Sequence, residues 1–404
     1  MSGPQMTLLV TLTGRDRPGV TSRLFTALSA HDLTVLDVEQ VVIRGRLVLG
    51  VLLACGNSPD LTAIHQQVTR LAADMGMDAE ITLGSGEQPP RSRGRLHVTV
   101  LGHPLLPSVI ASISGRIAAN GANIDSIDRL ASRPVTCIEF DVSGADPAGL
   151  RAALAQESVD LGVDIAVQRG GLHRRAMRLV VMDVDSTLLQ DEAIELLAAR
   201  AGCQDEVAKL TEAAMHGELD FARALHQRVA LLAGLDAAVI DEVLDDMRLT
   251  PGARTLIRTL KRLGFRCGVV SGGFSQVTDR LTRELGLDFA RANTLEIDNG
   301  RLTGRITGQV IDRAGKEQAL RQFAAQAGVP LSQTVAVGDG ANDLDMISAA
   351  GLGIAFNAKP AVRSAADTSV SVPQLDVILY LLGISRDDVE AADAEDAATG
   401  RAGR

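Results

Sequence analysis

The chain has 404 residues, enough for two or three domains at about 150 residues each. Its 46% hydrophobic and 22% charged content excludes a mostly disordered protein. Forty Lys and Arg stand against 50 acidic residues, a net charge of −10, with one Tyr and no Trp, so neither a basic field nor a stacking surface exists for nucleic acid.

The longest apolar runs, such as Leu47 to Cys55, fall well short of the roughly 18 residues of a membrane helix. No basic start, apolar stretch and small-residue cleavage site opens the chain, and the sequence reads as cytoplasmic, with no membrane partner. Cys55, Cys137, Cys203 and Cys267 lie 82, 66 and 64 residues apart, which fits neither paired zinc ligands nor a disulfide framework. Buried, inert thiols are expected, and the seven histidines show no metal-ligand spacing.

In chain order, a β-rich run at Leu8 to Thr13 leads into a helix-period segment at Val20 to Ala30. Strand patterns follow at Thr34 to Arg44 and Leu47 to Ala54, then another helix and a final strand. Gly84 to Arg95, rich in Gly, Pro and charge, predicts a linker. The pattern then repeats at Leu96 to Leu101, Val109 to Ala119, Asn123 to Leu130 and Val135 to Val142. A shift of 88 places Gly14 on Gly102, Asp32 on Asn120 and Asp37 on Asp125 without a gap. The order βαββαβ implies two α+β units, each an antiparallel ferredoxin-like sheet with helices on one face. Their bounds are 1–84 and 95–170, with a second boundary at Gln168 to Arg175.

The repeat length and Gly14-Arg15-Asp16-Arg17-Pro18-Gly19-Val20 resemble the ACT family of small-molecule regulatory domains. The resemblance implies an amino-acid effector, such as L-serine, at the loop before the first helix. Gly14 and Gly19 would let it approach the backbone, and Asp16 would meet its ammonium group. A Gly/Pro loop that merely turns the chain is the alternative. The second copy, Gly102-His103-Pro104-Leu105-Leu106-Pro107-Ser108, lacks the acid and the second glycine, which leaves ligand binding there open. ACT-like sheets commonly pair, which implies a homodimer.

From Met177 the pattern changes to short buried strands alternating with helices: Arg178 to Met182, Phe265 to Val270 and Thr334 to Val337. This predicts an α/β unit over 177–385 with a Rossmann-like parallel sheet, whose functional loops gather beyond the carboxyl ends of the strands. The helix-period stretch at about 191–248 is too long for a crossover and predicts a helical cap. Leu295 to Leu302 alternates around Asn299-Gly300 and predicts a hairpin. The acidic segment 386–404 is expected to be disordered.

Asp183-Val184-Asp185-Ser186-Thr187 leaves the first of these strands, and Gly338-Asp339-Gly340-Ala341-Asn342-Asp343 leaves the third. Like charges brought to one sheet edge repel by roughly 4 kcal/mol per close pair at an effective dielectric near 20, and a cation relieves this. Oxygen-only donors favour a hard ion, and Mg²⁺ fits where a phosphate completes its shell. Gly268 to Gly272 is not a nucleophile elbow, because Val269 stands where that turn needs glycine; no dinucleotide loop or P-loop is present either.

Together with Ser271 and Lys316, these segments resemble the haloacid dehalogenase superfamily of aspartate-nucleophile phosphatases. The last motif is one residue shorter than the usual Gly-Asp-Gly-x-x-x-Asp. Within the superfamily, Glu192, the cap stretch Met215 to Phe221, Arg228 and Ser271-Gly272-Gly273-Phe274 resemble the phosphoserine phosphatases. The resemblance implies an Mg²⁺-dependent release of L-serine and phosphate as the last step of serine biosynthesis. Asp183 would be the nucleophile and Asp185 the acid, then the base. The metal would sit on Asp183, Asp339 and the Asp185 carbonyl, with Asp343 behind it. Ser271, the Gly272 amide and Lys316 would hold the phosphoryl oxygens, with Asn342 orienting the group. Glu192 would take the substrate ammonium and Arg228 its carboxylate, under a lid of Met215 and Phe221. The alternatives are a phosphatase of the same mechanism for another phosphomonoester or phosphoprotein, and an amino-acid sensor with an idle catalytic domain.

Overall fold

Residues 6–56, 59–85, 95–170, 172–215 and 219–399 are described by a computed structural model. Strict alternation builds the first unit. On β1 (Met6–Arg15) Leu8, Val10 and Leu12 point inward, and on β3 (Arg46–Cys55) Leu47, Leu49, Val51 and Leu53 do the same. Both helices lie on that face, α1 (Val20–Leu28) through Val20, Leu24 and Leu28, and α2 (Leu61–Asp74) through Ile64, Val68 and Ala72. With β2 (Leu33–Ile43) and β4 (Asp78–Ser85) the antiparallel order is β2-β3-β1-β4. Along the edge strand β2, Val35, Leu36, Val38, Val41, Val42 and Ile43 are all exposed.

The second unit repeats this plan. Strands β5 (Arg95–Gly102), β6 (Asn123–Ala131), β7 (Thr136–Ser143) and β8 (Asp164–Arg169) run in the order β6-β7-β5-β8. Helices α3 (Pro107–Ala119) and α4 (Pro147–Leu161) cover one face, over a core that includes Val98, Ile113, Phe140 and Leu154. The expected linker is shorter than the composition predicts: β4 runs to Ser85 and β5 starts at Arg95, and 86–94 lie outside the described residues.

The opposite face of this second sheet is not free. Leu101, Ala131, Val135, Cys137 and Ala166 join the hydrophobic core of the third unit, beside Tyr380 and Leu381. Buried Asp164 on β8 accepts from the Ser371 amide at 2.7 Å and hydroxyl at 2.9 Å. In the short connecting helix α5 (Leu172–Arg175), Arg174 pairs with Glu139 at 2.6 Å and donates to the carbonyls of Tyr380 at 2.8 Å and Leu381 at 3.0 Å.

The third sheet has seven strands in the order β12-β11-β10-β9-β13-β14-β15. They are β9 (Leu179–Met182), β10 (Arg266–Phe274), β11 (Phe289–Asp298), β12 (Arg301–Thr307), β13 (Thr334–Gly338), β14 (Leu352–Phe356) and β15 (Thr368–Val370). All neighbours are parallel except β11 and β12, whose Asn299-Gly300 turn has both φ values positive, as a two-residue hairpin of this hand requires. Every residue of β9 is 0% exposed, the continuous apolar signature of a strand covered on both faces.

Between β9 and β10 stand α6 (Ala193–Ala201), α7 (Gln204–Met215), α8 (Phe221–Ala230) and α9 (Ala238–Asp246), which form the cap, and then α10 (Ala253–Arg262). The crossovers are α11 (Ser275–Leu285), α12 (Arg313–Ala327), α13 (Leu344–Ala349) and α14 (Pro360–Ala365). A short α15 (Ile378–Leu381) precedes α16 (Arg386–Thr399).

That last helix corrects the expectation of a disordered tail over 386–399. Its acids are not merely solvated: Asp393 pairs with Arg258 and Arg262 of α10, Asp396 also meets Arg262, and Val389 is buried. Residues 400–404 lie outside the described residues. The cysteines are free, three of them buried and Cys203 half-buried, and no described helix is long and apolar enough to cross a membrane.

Candidate active site

β9, β10 and β13 lie side by side, so the loops after them meet at one edge of the sheet. The Asp183 amide donates to the Val337 carbonyl at 2.9 Å, which locks the first loop to the strand carrying Asp339. The chain then makes a wide turn over Val184–Leu188, closed from the Leu189 amide to the Val184 carbonyl at 2.8 Å, with Ser186 at φ +59°. A non-glycine residue in that region is strained and marks a site that the surrounding structure holds in place. Here the hold is a hydrogen bond, 3.0 Å from the Ser186 hydroxyl to Glu192.

Lys316 organises the acidic edge. It lies in the first turn of α12, which Asp312 caps by accepting from the Gly315 amide at 2.8 Å. Wholly buried, its Nζ stands 2.7 Å from Asp183 Oδ1 and 2.7 Å from Asp343 Oδ1. Burial alone depresses a lysine, but the two carboxylates outweigh it and hold the ammonium charged. The other Asp343 oxygen accepts from the Gly340 amide at 3.0 Å. A side chain at Gly338 would overlap Asp343, so only glycine permits this approach.

Asp183, Asp339 and Asp343 each place an oxygen within 4.8 Å of the others. Burial, then Asp343, pushes the Asp183 carboxyl well above the usual carboxylate range against the pull of Lys316, and Asp339 is pushed up to about 6 by burial and then Asp343. Two acids raised in this way, Asp183 buried and Asp339 half-buried, fit a site for a hard cation, which would restore their ionised forms. Because both Asp343 oxygens are already engaged, Asp183 and Asp339 are the better placed to hold the ion.

Asp185 faces away from this cluster. Its Oδ2 accepts from the Ser271 hydroxyl at 2.9 Å and its Oδ1 from the Ala193 amide at 3.2 Å, and the Gly273 amide donates to Ser271 Oγ at 2.7 Å. The two aspartates of the first loop therefore have different surroundings, one with the lysine and the other with a hydroxyl and an amide. Phe221 reaches over the second loop, for a side chain at Gly272 would meet its ring at 2.9 Å. Asn342 lies half-buried in the turn after Gly340.

Arg228 and Phe221 both project from α8. The guanidinium donates to Thr211 at 3.2 Å; burial lowers its pKa while Glu192, Glu195 and Asp185 oppose that. Burial, then Asp185, drives the Glu192 carboxyl up to about 7. The side chain of Met215 and residues 216–218 lie outside the described residues.

Two residues of this site, Asn293 and Thr250, carried no sequence signal, and Thr187 was visible only as the last residue of the first acidic motif. Asn293, 2% exposed, donates to the Gly272 carbonyl at 2.8 Å and accepts from the Ile311 amide at 2.8 Å, clamping the second loop to the entry of α12. The Thr187 hydroxyl donates to Asp339 at 3.2 Å and the Thr250 hydroxyl to the Thr187 carbonyl at 2.7 Å. Asn293 and Thr250 are lone polar residues whose partners are distant in sequence.

Strand register also gathers His97, Glu139 and Asp141 on the second sheet. Arg174 and the Thr99 hydroxyl already engage Glu139, and His97 lies 2.5 Å from Asp141, so both carboxylates of this cluster already have neighbours within the protein. In the first unit, Gly19 caps α1 at φ +92°, Asp16 is exposed, and Gly14 backs onto the Met77 side chain. In the second unit Leu105 packs over Gly102.

Residues 180–348 match the haloacid dehalogenase-like hydrolases, and residues 6–82 and 96–168 each match the ACT domain. The phosphoserine phosphatase of Streptomyces coelicolor is 64% identical over 96% of this chain and 94% of its own length. Phosphoserine phosphatase SerB2 of Mycobacterium tuberculosis is 53% identical over 97% of each chain. Among solved structures, the unliganded probable phosphoserine phosphatase of Vibrio cholerae aligns at a TM-score of 0.57 and 33% identity, covering 73% of this chain and 88% of that one.

Proposed function

The chain belongs to the phosphoserine phosphatases of the haloacid dehalogenase-like hydrolases, with two ACT domains ahead of the catalytic one, and on that premise we propose that it hydrolyses O-phospho-L-serine through an aspartyl-phosphate. The observation that carries this reading is the division of labour between Asp183, held beside a buried lysine, and Asp185, held by Ser271 and the Ala193 amide.

In the first step an Asp183 oxygen bonds to phosphorus and the bond from phosphorus to the serine oxygen breaks. That leaving oxygen is strongly basic, and the Asp185 carboxyl supplies its proton. In the second step the Asp185 carboxylate takes a proton from water, whose oxygen bonds to phosphorus and releases Asp183 and phosphate. Lys316, Ser271 and the Gly272 amide stabilise the charge on the phosphoryl oxygens, and Asn342 orients the group. Asp183, Asp339 and the main-chain carbonyl of Asp185 would hold Mg²⁺, with Asp343 behind them; when bound, that ion screens the anionic nucleophile from the anionic ester.

Glu192 and Arg228 suit the ammonium and carboxylate that distinguish phosphoserine from simpler phosphomonoesters. Phe221 over Gly272 supplies an apolar cover, to which Met215 would add. This substrate makes the reaction the last step of serine biosynthesis. At the first ACT domain, the left-handed Gly19 and exposed Asp16 suit an amino-acid effector; the second lacks that acid, and Leu105 packs over its loop. The exposed apolar edge of β2 supports pairing into a homodimer.

The deciding experiment is phosphate release from phosphoserine in MgCl₂ by the full chain and by Asp183→Asn. Activity lost in the variant bears the reading out, and equal activity in both rules out aspartyl catalysis. A preference for phosphoserine over phosphoethanolamine, which lacks the carboxylate, tests Arg228; equal rates on the two would favour a phosphatase of broader range.

A further inference from the structure

Two segments join the cap to the catalytic sheet and are zipped together. Leu189 and Leu249 form an antiparallel bridge, and the Gln190 amide donates to the Arg248 carbonyl at 2.9 Å. Asp191 accepts from the Arg248 amide at 2.9 Å, and the Thr250 amide donates to the Leu188 carbonyl at 2.9 Å. All of this main-chain pairing, together with the start of α10, is accounted for without the Thr250 side chain: Gly252 caps that helix at φ +82°, and the Thr250 carbonyl accepts from the Ala253 amide at 3.0 Å.

The Thr250 hydroxyl is directed elsewhere. Buried at 6% exposure, it donates to the carbonyl of Thr187 at 2.7 Å. Thr187 is 0% exposed, and its own hydroxyl donates to Asp339 Oδ1 at 3.2 Å. Two hydroxyls in series thus run from the cap hinge to one of the three clustered carboxylates. Removing the first leaves a buried carbonyl short of a donor, on the residue whose side chain orients Asp339.

We propose that Thr250 is a positioning residue for the phosphatase reaction, its hydroxyl fixing Thr187 and through it the Asp339 carboxylate, so that the carboxylate cluster is built against the hinge of the cap. This rests on the phosphatase reading above. Thr250 touches neither substrate nor reacting atoms, and its effect belongs to the turnover step and to cation affinity more than to substrate affinity.

The test compares Thr250→Val, which keeps the shape and removes the hydroxyl, with Thr250→Ser, which keeps the hydroxyl. In the full chain, the Val variant should lose roughly tenfold in kcat, as expected for one buried hydrogen bond, with KM for phosphoserine within about twofold. A second readout needs no turnover: the MgCl₂ concentration that half-saturates the rise in unfolding temperature should increase several-fold in the Val variant. The Ser variant should match the wild type in both readouts. Should Thr250→Val not fold, Thr250→Ala carries the same expectations. Wild-type kcat and Mg²⁺ dependence in the hydroxyl-free variant, or equal losses in the Val and Ser variants, would overturn the proposal. A wild-type chain inert toward phosphoserine would instead sink the substrate reading, while the thermal readout would still decide the role of Thr250.

Discussion

The Ser271 hydroxyl donates to Asp185 Oδ2 at 2.9 Å while accepting from the Gly273 amide at 2.7 Å, so one side chain links the proposed acid to the loop that would receive the phosphoryl group. Ser271→Ala removes both a donor to phosphate and the tether on Asp185. Steady-state phosphate release should show kcat/KM for phosphoserine falling roughly tenfold to a hundredfold, with about 1.4–3 kcal/mol lost.

Glu192 predicts a pH dependence. Burial, then Asp185, pushes its carboxyl up to about 7, so the charged form that holds an ammonium is present above that value and is lost as pH falls through it. KM for phosphoserine should therefore rise from pH 8 to pH 6. In Glu192→Gln this step should vanish, leaving only the titration of the substrate phosphate near ~6. A wild-type KM profile indistinguishable from that of the variant would count against Glu192 as the ammonium partner.

Replacing the buried lysine separates charge from packing. Lys316→Met keeps the apolar stem and leaves Asp183 and Asp343 facing each other without a cation, a loss of about 3–5 kcal/mol at neutral pH. The Asp183 carboxyl is held well above its ordinary range; its protonation favours the folded state as pH falls, so the deficit should shrink in acid. Urea denaturation at two pH values measures this, and the variant should release no phosphate.

Arg174 ties the second ACT domain to the catalytic core through Glu139 and two carbonyls at the end of α15. Arg174→Ala should cost about 2–4 kcal/mol, because Glu139 and those carbonyls lose a buried donor. Denaturation followed by circular dichroism reads the loss.

Much of this architecture was legible because periodicity reports burial. The alternation at Leu8, Val10 and Leu12 and the unbroken run of β9 distinguish a one-sided sheet from a two-sided one without any contact information. The acidic loops were legible for the same reason, since each directly follows a buried run. Asn293, Thr250 and Arg174 were not legible, because each acts through a partner brought near only by the packing of the whole unit. Segment 386–399 misled for a related reason: its acids look like a solvated tail until Arg258 and Arg262 are found across from them on α10.

The sole tyrosine of the chain, Tyr380, is buried, and its carbonyl receives Arg174 at the seam between the second ACT domain and the catalytic core. With no tryptophan to mask it, near-ultraviolet emission from the unmodified protein comes chiefly from this single chromophore. Loosening of that junction, as by the loss of Arg174, is thereby open to direct optical observation with no attached label.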